Sequence, residues 1–285
     1  MQLENIGRQL SAIIRENIDE ETQTWLEAKI AEIIDEGSKR QLYLTYSLLA
    51  SKIKTQGSLI LPVTDPELKG YLGNQNASLL QLARIYLLIK VLEANSTLFT
   101  PMVSEIIQVA DTSELVTFLK FLILLPKPEN FIHPAVDALR TNISTVFDAI
   151  ALHNPYPARY FDEDQWNQMF LKTAFMQGDL SAIMEIDKRA NKKLTRIISD
   201  YAHERWAASR DIDPYFWRPV ARFLDAKLLI DMRRLLESSN AIENKAAALC
   251  CYKSENPEAK KLLESFPGLQ EQILQNKISW ETLKD

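Results

Sequence analysis

At 285 residues and 46% hydrophobic content, the chain can bury one substantial core or two small ones, and a charged fraction of 25% excludes a disordered chain. The net charge of −5 is uneven: residues 1–150 hold 13 Lys+Arg against 18 Asp+Glu, and residues 151–285 hold 20 of each. Neither half has the clustered basic surface that would release counterions from a nucleic acid.

The N-terminus, MQLENIGRQLSAIIREN, alternates polar and apolar residues at helical spacing and has no small-residue cleavage site, so it reads as a helix and not as a signal peptide. Seven glycines and twelve prolines leave long stretches without breakers. Helical periodicity and caps predict helices over 3–18, 20–35 (capped by Asp19), 38–54, 65–72, 77–94, 100–109, 112–125, 133–140 and 143–152. They continue over 163–177, 179–187, 191–209, 213–223, 226–237, 241–252, 256–264 and a broken 267–283. Only GSLILPV, 57–63, has strand character. The fold class is therefore all-α, as an irregular multi-helix bundle or a short α-solenoid of helical pairs, without a fixed repeat period. A single unit is expected over 1–285. Five of the twelve prolines fall within 126–157, which makes this segment the candidate hinge between helices 1–125 and 158–285.

The most apolar runs, IYLLI (85–89) and FLILL (121–125), meet Lys90 and Lys120 and fall far short of the roughly 20 residues that cross a bilayer. A cytoplasmic protein is expected, and the adjacent Cys250 and Cys251 read as reduced core residues.

Motifs for common chemistries are missing. Gly70 and Gly73 are close but no GK[ST] follows, and HERWA offers His203 and Glu204 with Ala207 where a zinc protease needs its second histidine. Asp162, Glu163 and Asp164 in FDEDQW lack the carboxylate one turn later that a terpenoid synthase uses to hold magnesium; they read as the first turn of a helix. Asp213 followed by Pro214 reads as an N-cap with proline at the first helical position. No metal site is expected of His133, His153 and His203.

Residues 153–218 hold 11 of the 25 aromatic residues and six of the 14 arginines, a composition shared by binding surfaces and by packed cores. Two polar residues fall on apolar stripes. Asn167 lies between Trp166/Phe170 and Leu171, and Arg205 falls at about 100° per residue on the line of Leu194, Ile198, Tyr201 and Ala208. A buried guanidinium cannot lose its proton, so Arg205 is expected to be buried and paired with a carboxylate or carbonyls from the helices near 163–187 or 213–223. HNPYPARYF (153–161) is expected as an ordered non-helical connection whose rings dock on the next helix, because Asn154 and Tyr156 precede prolines.

The words HNPYPARYFDEDQWNQMFLKTAFM (153–176), DKRANKKL (187–194), YAHERWAASR (201–210) and YFWRPV (215–220) resemble the EboA family of metabolite traffic proteins. The first 150 residues carry no such word. The resemblance implies a cytoplasmic bacterial protein, encoded with a prenyltransferase-like membrane protein and with homologues of sugar- or phosphate-metabolising enzymes. It would help to make or export a secondary metabolite or its precursor. The implied partners are other proteins of that pathway and a small-molecule metabolite.

The family brings no catalytic residue to carry over, and no cofactor is expected. Burial arguments alone select Asn167, Arg205, Glu204, Arg189, Trp166, Trp206, Trp217, Tyr156, Tyr160 and His153 as a binding or structural cluster. The leading reading is a non-catalytic interaction or small-molecule-handling protein. Its alternative is a cofactor-free enzyme acting on a prenyl or cyclitol-like intermediate.

Overall fold

The computed structural model describes residues 5–54, 59–62 and 65–283. It is all-α, and no strand occurs among the described residues. The described part of the expected strand, 59–62, is irregular, and the remainder of 57–63 lies outside the described residues. The chain divides into two compact units, Met1–Tyr160 and Phe161–Asp285, with the boundary just beyond the proline-rich segment.

The first unit contains α1 (Ile6–Asn17), α2 (Glu20–Glu36), α3 (Lys39–Lys52), α4 (Pro66–Asn74), α5 (Leu79–Ala94), α6 (Ser96–Ser104), α7 (Ile106–Val109), α8 (Thr112–Phe121), α9 (Ile132–Ala138), α10 (Ser144–Ala151) and α11 (Tyr156–Tyr160). Short 3-10 turns at Leu122–Leu124 and Pro128–Phe131 precede α9. Caps define the boundaries: Asp19 Oδ1 accepts from the Thr22 N–H at 2.7 Å to start α2, and Gly37 ends it at φ 60°, where a side chain would be strained.

Helix α5 is apolar nearly all round, so it can only sit in the middle, and α1, α2, α3, α6 and α8 pack about it. Burial of eleven of its residues makes this unit a bundle around one helix and not a stack of successive pairs.

The second unit contains α12 (Glu163–Phe175), α13 (Ile186–Arg189), α14 (Lys192–Ala207), a 3-10 segment (Pro214–Phe223), α15 (Ala226–Leu236), α16 (Ala241–Lys253), α17 (Pro257–Glu264) and α18 (Pro267–Leu274). Its centre is α16, whose run from Ala246 to Cys251 is wholly buried against the 3-10 segment, α15, α17 and α18.

Four expectations need correction. Residues 213–223 form a 3-10 segment instead of an α-helix, and Pro219 in its interior removes a backbone donor that an α-helix would need. Residues 179–187 hold a 3-10 turn, Leu180–Ala182, and only the start of α13. The helix expected over 100–109 begins earlier, at Ser96 under the cap of Asn95, and breaks at Glu105 into α6 and α7.

The fourth concerns 153–161, which is not a non-helical connection throughout. Asn154 Oδ1 accepts from the Tyr156 N–H at 3.0 Å, and this turn launches α11 at Tyr156 with Pro157 in its first turn, where proline needs no donor. The Tyr156 hydroxyl donates to the Pro128 carbonyl at 2.8 Å, so this ring is anchored on an element that precedes it.

Candidate functional site

The sequence-selected residues fall into separate groups. In the first unit, Tyr156 and Tyr160 lie one helical turn apart with ring centroids 4.8 Å apart, and exposed His153, at φ 52°, accepts from Gln75 through its carbonyl. In the second, the Asn167 and Asn191 side-chain amides exchange two hydrogen bonds, at 2.8 and 3.2 Å, while Asn191 Oδ1 caps α14 through the Leu194 N–H. Arg189 lies over the ring of Trp166 and donates to the carbonyls of Phe161 and Asp162. These contacts fasten the start of α12 to the start of α14, and Asn167 and Trp166 are buried in doing so.

A third group centres on Trp206, half-buried, which stacks on fully buried Trp217 at 5.6 Å under the guanidinium of Arg234 at 4.1 Å. Glu204 is exposed.

Arg205 is half-buried and finds its acceptor locally: Nε and Nη2 both donate to the Asp211 carbonyl, at 3.1 and 2.6 Å. The expectation of a buried arginine tied to a neighbouring helix is corrected. Arg205 lies on the apolar line, but in the last turn of α14, where the core has ended and a cation meets the negative end of the helix dipole. The aromatic-arginine segment is thus largely consumed in its own packing.

The arginine that the fold does bury is Arg84, at 2% exposure in the middle of α5. Its Nη2 lies 3.3 Å from Glu114 Oε1, its Nε donates to the Tyr46 carbonyl at 3.2 Å, and its guanidinium sits over the Tyr46 ring. The Tyr46 hydroxyl in turn donates to the Glu114 carbonyl at 3.0 Å, and burial drives that hydroxyl far above the ordinary tyrosine range. Sequence fixes Glu114 from the other side: DTSE (111–114) is a capping box, in which Glu114 Oε2 accepts from the Asp111 N–H and Asp111 Oδ1 from the Glu114 N–H. One carboxylate therefore starts α8 and neutralises α5. The signal for Arg84 was a lone cation in the apolar run LARIYLLI.

Tyr46 and Glu114 also line a groove of about 530 Å³. One wall is α3, where Arg40, Tyr43, Leu44 and Ser47 recur at helical spacing on one face; the other is Ile106, Val109 and Ala110. The break at Glu105 ends α6 and starts α7, the one-turn helix that carries Ile106 and Val109, and the Tyr43 hydroxyl holds the Met102 carbonyl at 2.8 Å. Leu44 at 45% and Val109 at 59% exposure leave apolar surface open to solvent. The polar edge is Ser47, Arg40 and Lys39, the last paired with Glu105. A volume of this size with apolar walls and a few polar groups at one side is the form of a small-molecule pocket.

Elsewhere, buried Asp231 accepts from the Ser199 hydroxyl at 2.8 Å and lies 2.7 Å from His203 Nε2. Both partners face the carboxylate, so this trio lacks the serine–imidazole contact that activates a nucleophile. No group of three or more potential metal ligands occurs among the described residues, and none of their helices is long and apolar enough to cross a membrane.

The two units thus define an all-α protein with an uncovered apolar groove over a buried ion pair. The chain belongs to the EboA family, described as metabolite traffic protein EboA, whose profile matches residues 6–221. The match therefore takes in residues 6–150, the groove among them. No curated protein and no solved structure matches the chain.

Proposed function

We propose that this chain is a non-catalytic, small-molecule-handling protein that supports production or export of a secondary-metabolite precursor, working in the cytoplasm with other proteins of its pathway. The observation that carries this reading is the groove between α3 and α7–α8. Its open leucine and valine suit an apolar body, and Arg40 with Ser47 suits one polar or anionic end. Holding is favoured over conversion because Glu114 is already engaged by Arg84 and by the Asp111 N–H, which leaves it no proton to exchange with a guest.

The dye anilinonaphthalene sulfonate, apolar with one anionic end, tests the reading. It is expected to bind saturably at one site, and Val109→Trp, which fills the groove from an exposed position, abolishes that binding while the far-ultraviolet circular dichroism is unchanged. Binding that survives Val109→Trp but not a tryptophan placed at exposed Ile230 would refute a groove site.

A further inference from the structure

Between α14, the 3-10 segment and α15 lies a cleft of about 620 Å³. Four cations from three elements line it: Lys192 and Arg196 on α14, Arg222 at the end of the 3-10 segment, and Lys227 on α15. Periodicity along one helix cannot account for a convergence from three elements. Three carboxylates oppose them, one of them Asp231, buried behind Ser199 and acting on Lys227. Asp225 lines the cleft but is committed to capping α15 through the Leu228 N–H at 2.9 Å, and Asp200 pairs with Lys227 at 2.8 Å and more loosely with Arg196 at 3.9 Å. Four positive charges less three negative leave one, an excess that favours an anion. Among the described residues, Lys192 and Arg222 take part in no ion pair; Arg222 only donates to the Asp187 carbonyl, at 3.4 Å.

The backbone adds to this excess. The first turn of α14 reaches the cleft, carries no acidic residue and is capped by the neutral Asn191, so its positive end stands beside Lys192, whereas that of α15 is met by Asp225. Such an arrangement is unfavourable for an empty helix and favourable once an anion is present. Leu224 and Leu228, both buried, line the same cleft, and so does Phe223; they give an organic substituent a dry wall. The hydroxyls of Ser199 and Thr195 are occupied by Asp231 and by the Lys192 carbonyl, so the charged groups are left to make the contact.

We infer that this cleft binds a small phosphate monoester with an apolar substituent, through Lys192, Arg196 and Arg222. The site is independent of the groove in the first unit.

Isothermal titration of the full chain with inorganic phosphate and with hexyl phosphate tests it. Hexyl phosphate is expected to bind at least ten-fold more tightly than inorganic phosphate, and Arg196→Gln with Arg222→Gln to weaken it by ten-fold or more. Lys188→Gln, a surface lysine outside the cleft at 78% exposure, is expected to change nothing. Equal affinity for the two probes, or an effect of Lys188→Gln as large as that of the arginine pair, would overturn the site. Vesicles of phosphatidylcholine with and without phosphatidic acid separate a soluble ester from a lipid headgroup. No retention on either is expected, and retention that requires phosphatidic acid without binding of hexyl phosphate would overturn the proposal. Val109→Trp should leave hexyl phosphate binding intact, so a failed groove and a failed cleft give different results.

Discussion

Arg84 Nη2 lies 3.3 Å from Glu114 Oε1, thirty positions along the chain, with both side chains almost wholly removed from solvent. A buried pair contributes little net stability compared with apolar residues of the same shape, but removal of one partner strands the other charge. Glu114→Leu is expected to cost about 3–5 kcal/mol, because it strands a guanidinium that cannot neutralise itself and also removes a helix cap. Arg84→Met is expected to cost less, since Glu114 keeps the Asp111 N–H. Urea unfolding of the two single variants and the double variant gives the order; a Glu114→Leu protein as stable as the parent would contradict the pairing.

The amide pair of Asn167 and Asn191 links α12 to the cap of α14. Asn167→Leu is expected to destabilise by about 1 kcal/mol, because the half-buried Asn191 amide loses two hydrogen bonds but keeps the Arg189 carbonyl and the Leu194 N–H. Denaturation midpoints, with the slope unchanged, check this.

Acid should loosen the second unit through Asp187. Burial pushes this carboxyl up, but the Arg218 fork, at 3.0 and 2.9 Å, and Lys253 outweigh it and hold it below the ordinary value of 3.8. A group depressed on folding stabilises fully above its unfolded value and loses that contribution as pH falls through its folded one. The loss therefore falls below about pH 4, and Arg218→Gln should make the thermal midpoint less dependent on pH there. An identical acid limb in the variant would contradict it.

Cys250 and Cys251 are both buried in α16, and burial pushes the Cys250 thiol well above its ordinary range and the Cys251 thiol up to about 12. Neither is expected to react with dithionitrobenzoate in the folded protein near pH 8, and both should react in urea. Rapid native labelling would show that α16 opens.

Much of the helix pattern was legible because caps are local: Asp19, Asp162 and Asn191 each announce a helix within three residues. Arg205 was placed correctly on its stripe, but periodicity along one helix does not tell where the core stops, and this decided its fate. Arg84 was equally visible in LARIYLLI and carried the stronger argument, since a helix apolar on every side leaves a cation no exit to water. The groove was not legible at all. Its walls, α3 and α7–α8, meet only through folding, and Val109 reads in sequence as an ordinary helical valine. The cleft of the second unit was hidden in the same way, with Arg222 and Lys192 joined only by the return of the 3-10 segment to α14.

Native mass spectrometry of the full chain purified from its own host measures directly whether a guest occupies the groove of the first unit. The wild-type protein is expected to carry a reproducible small-molecule mass that is absent from Val109→Trp prepared in parallel. A wild-type protein that flies at its bare chain mass under conditions that preserve weak complexes, or a bound mass that Val109→Trp retains in full, would contradict occupancy of the groove.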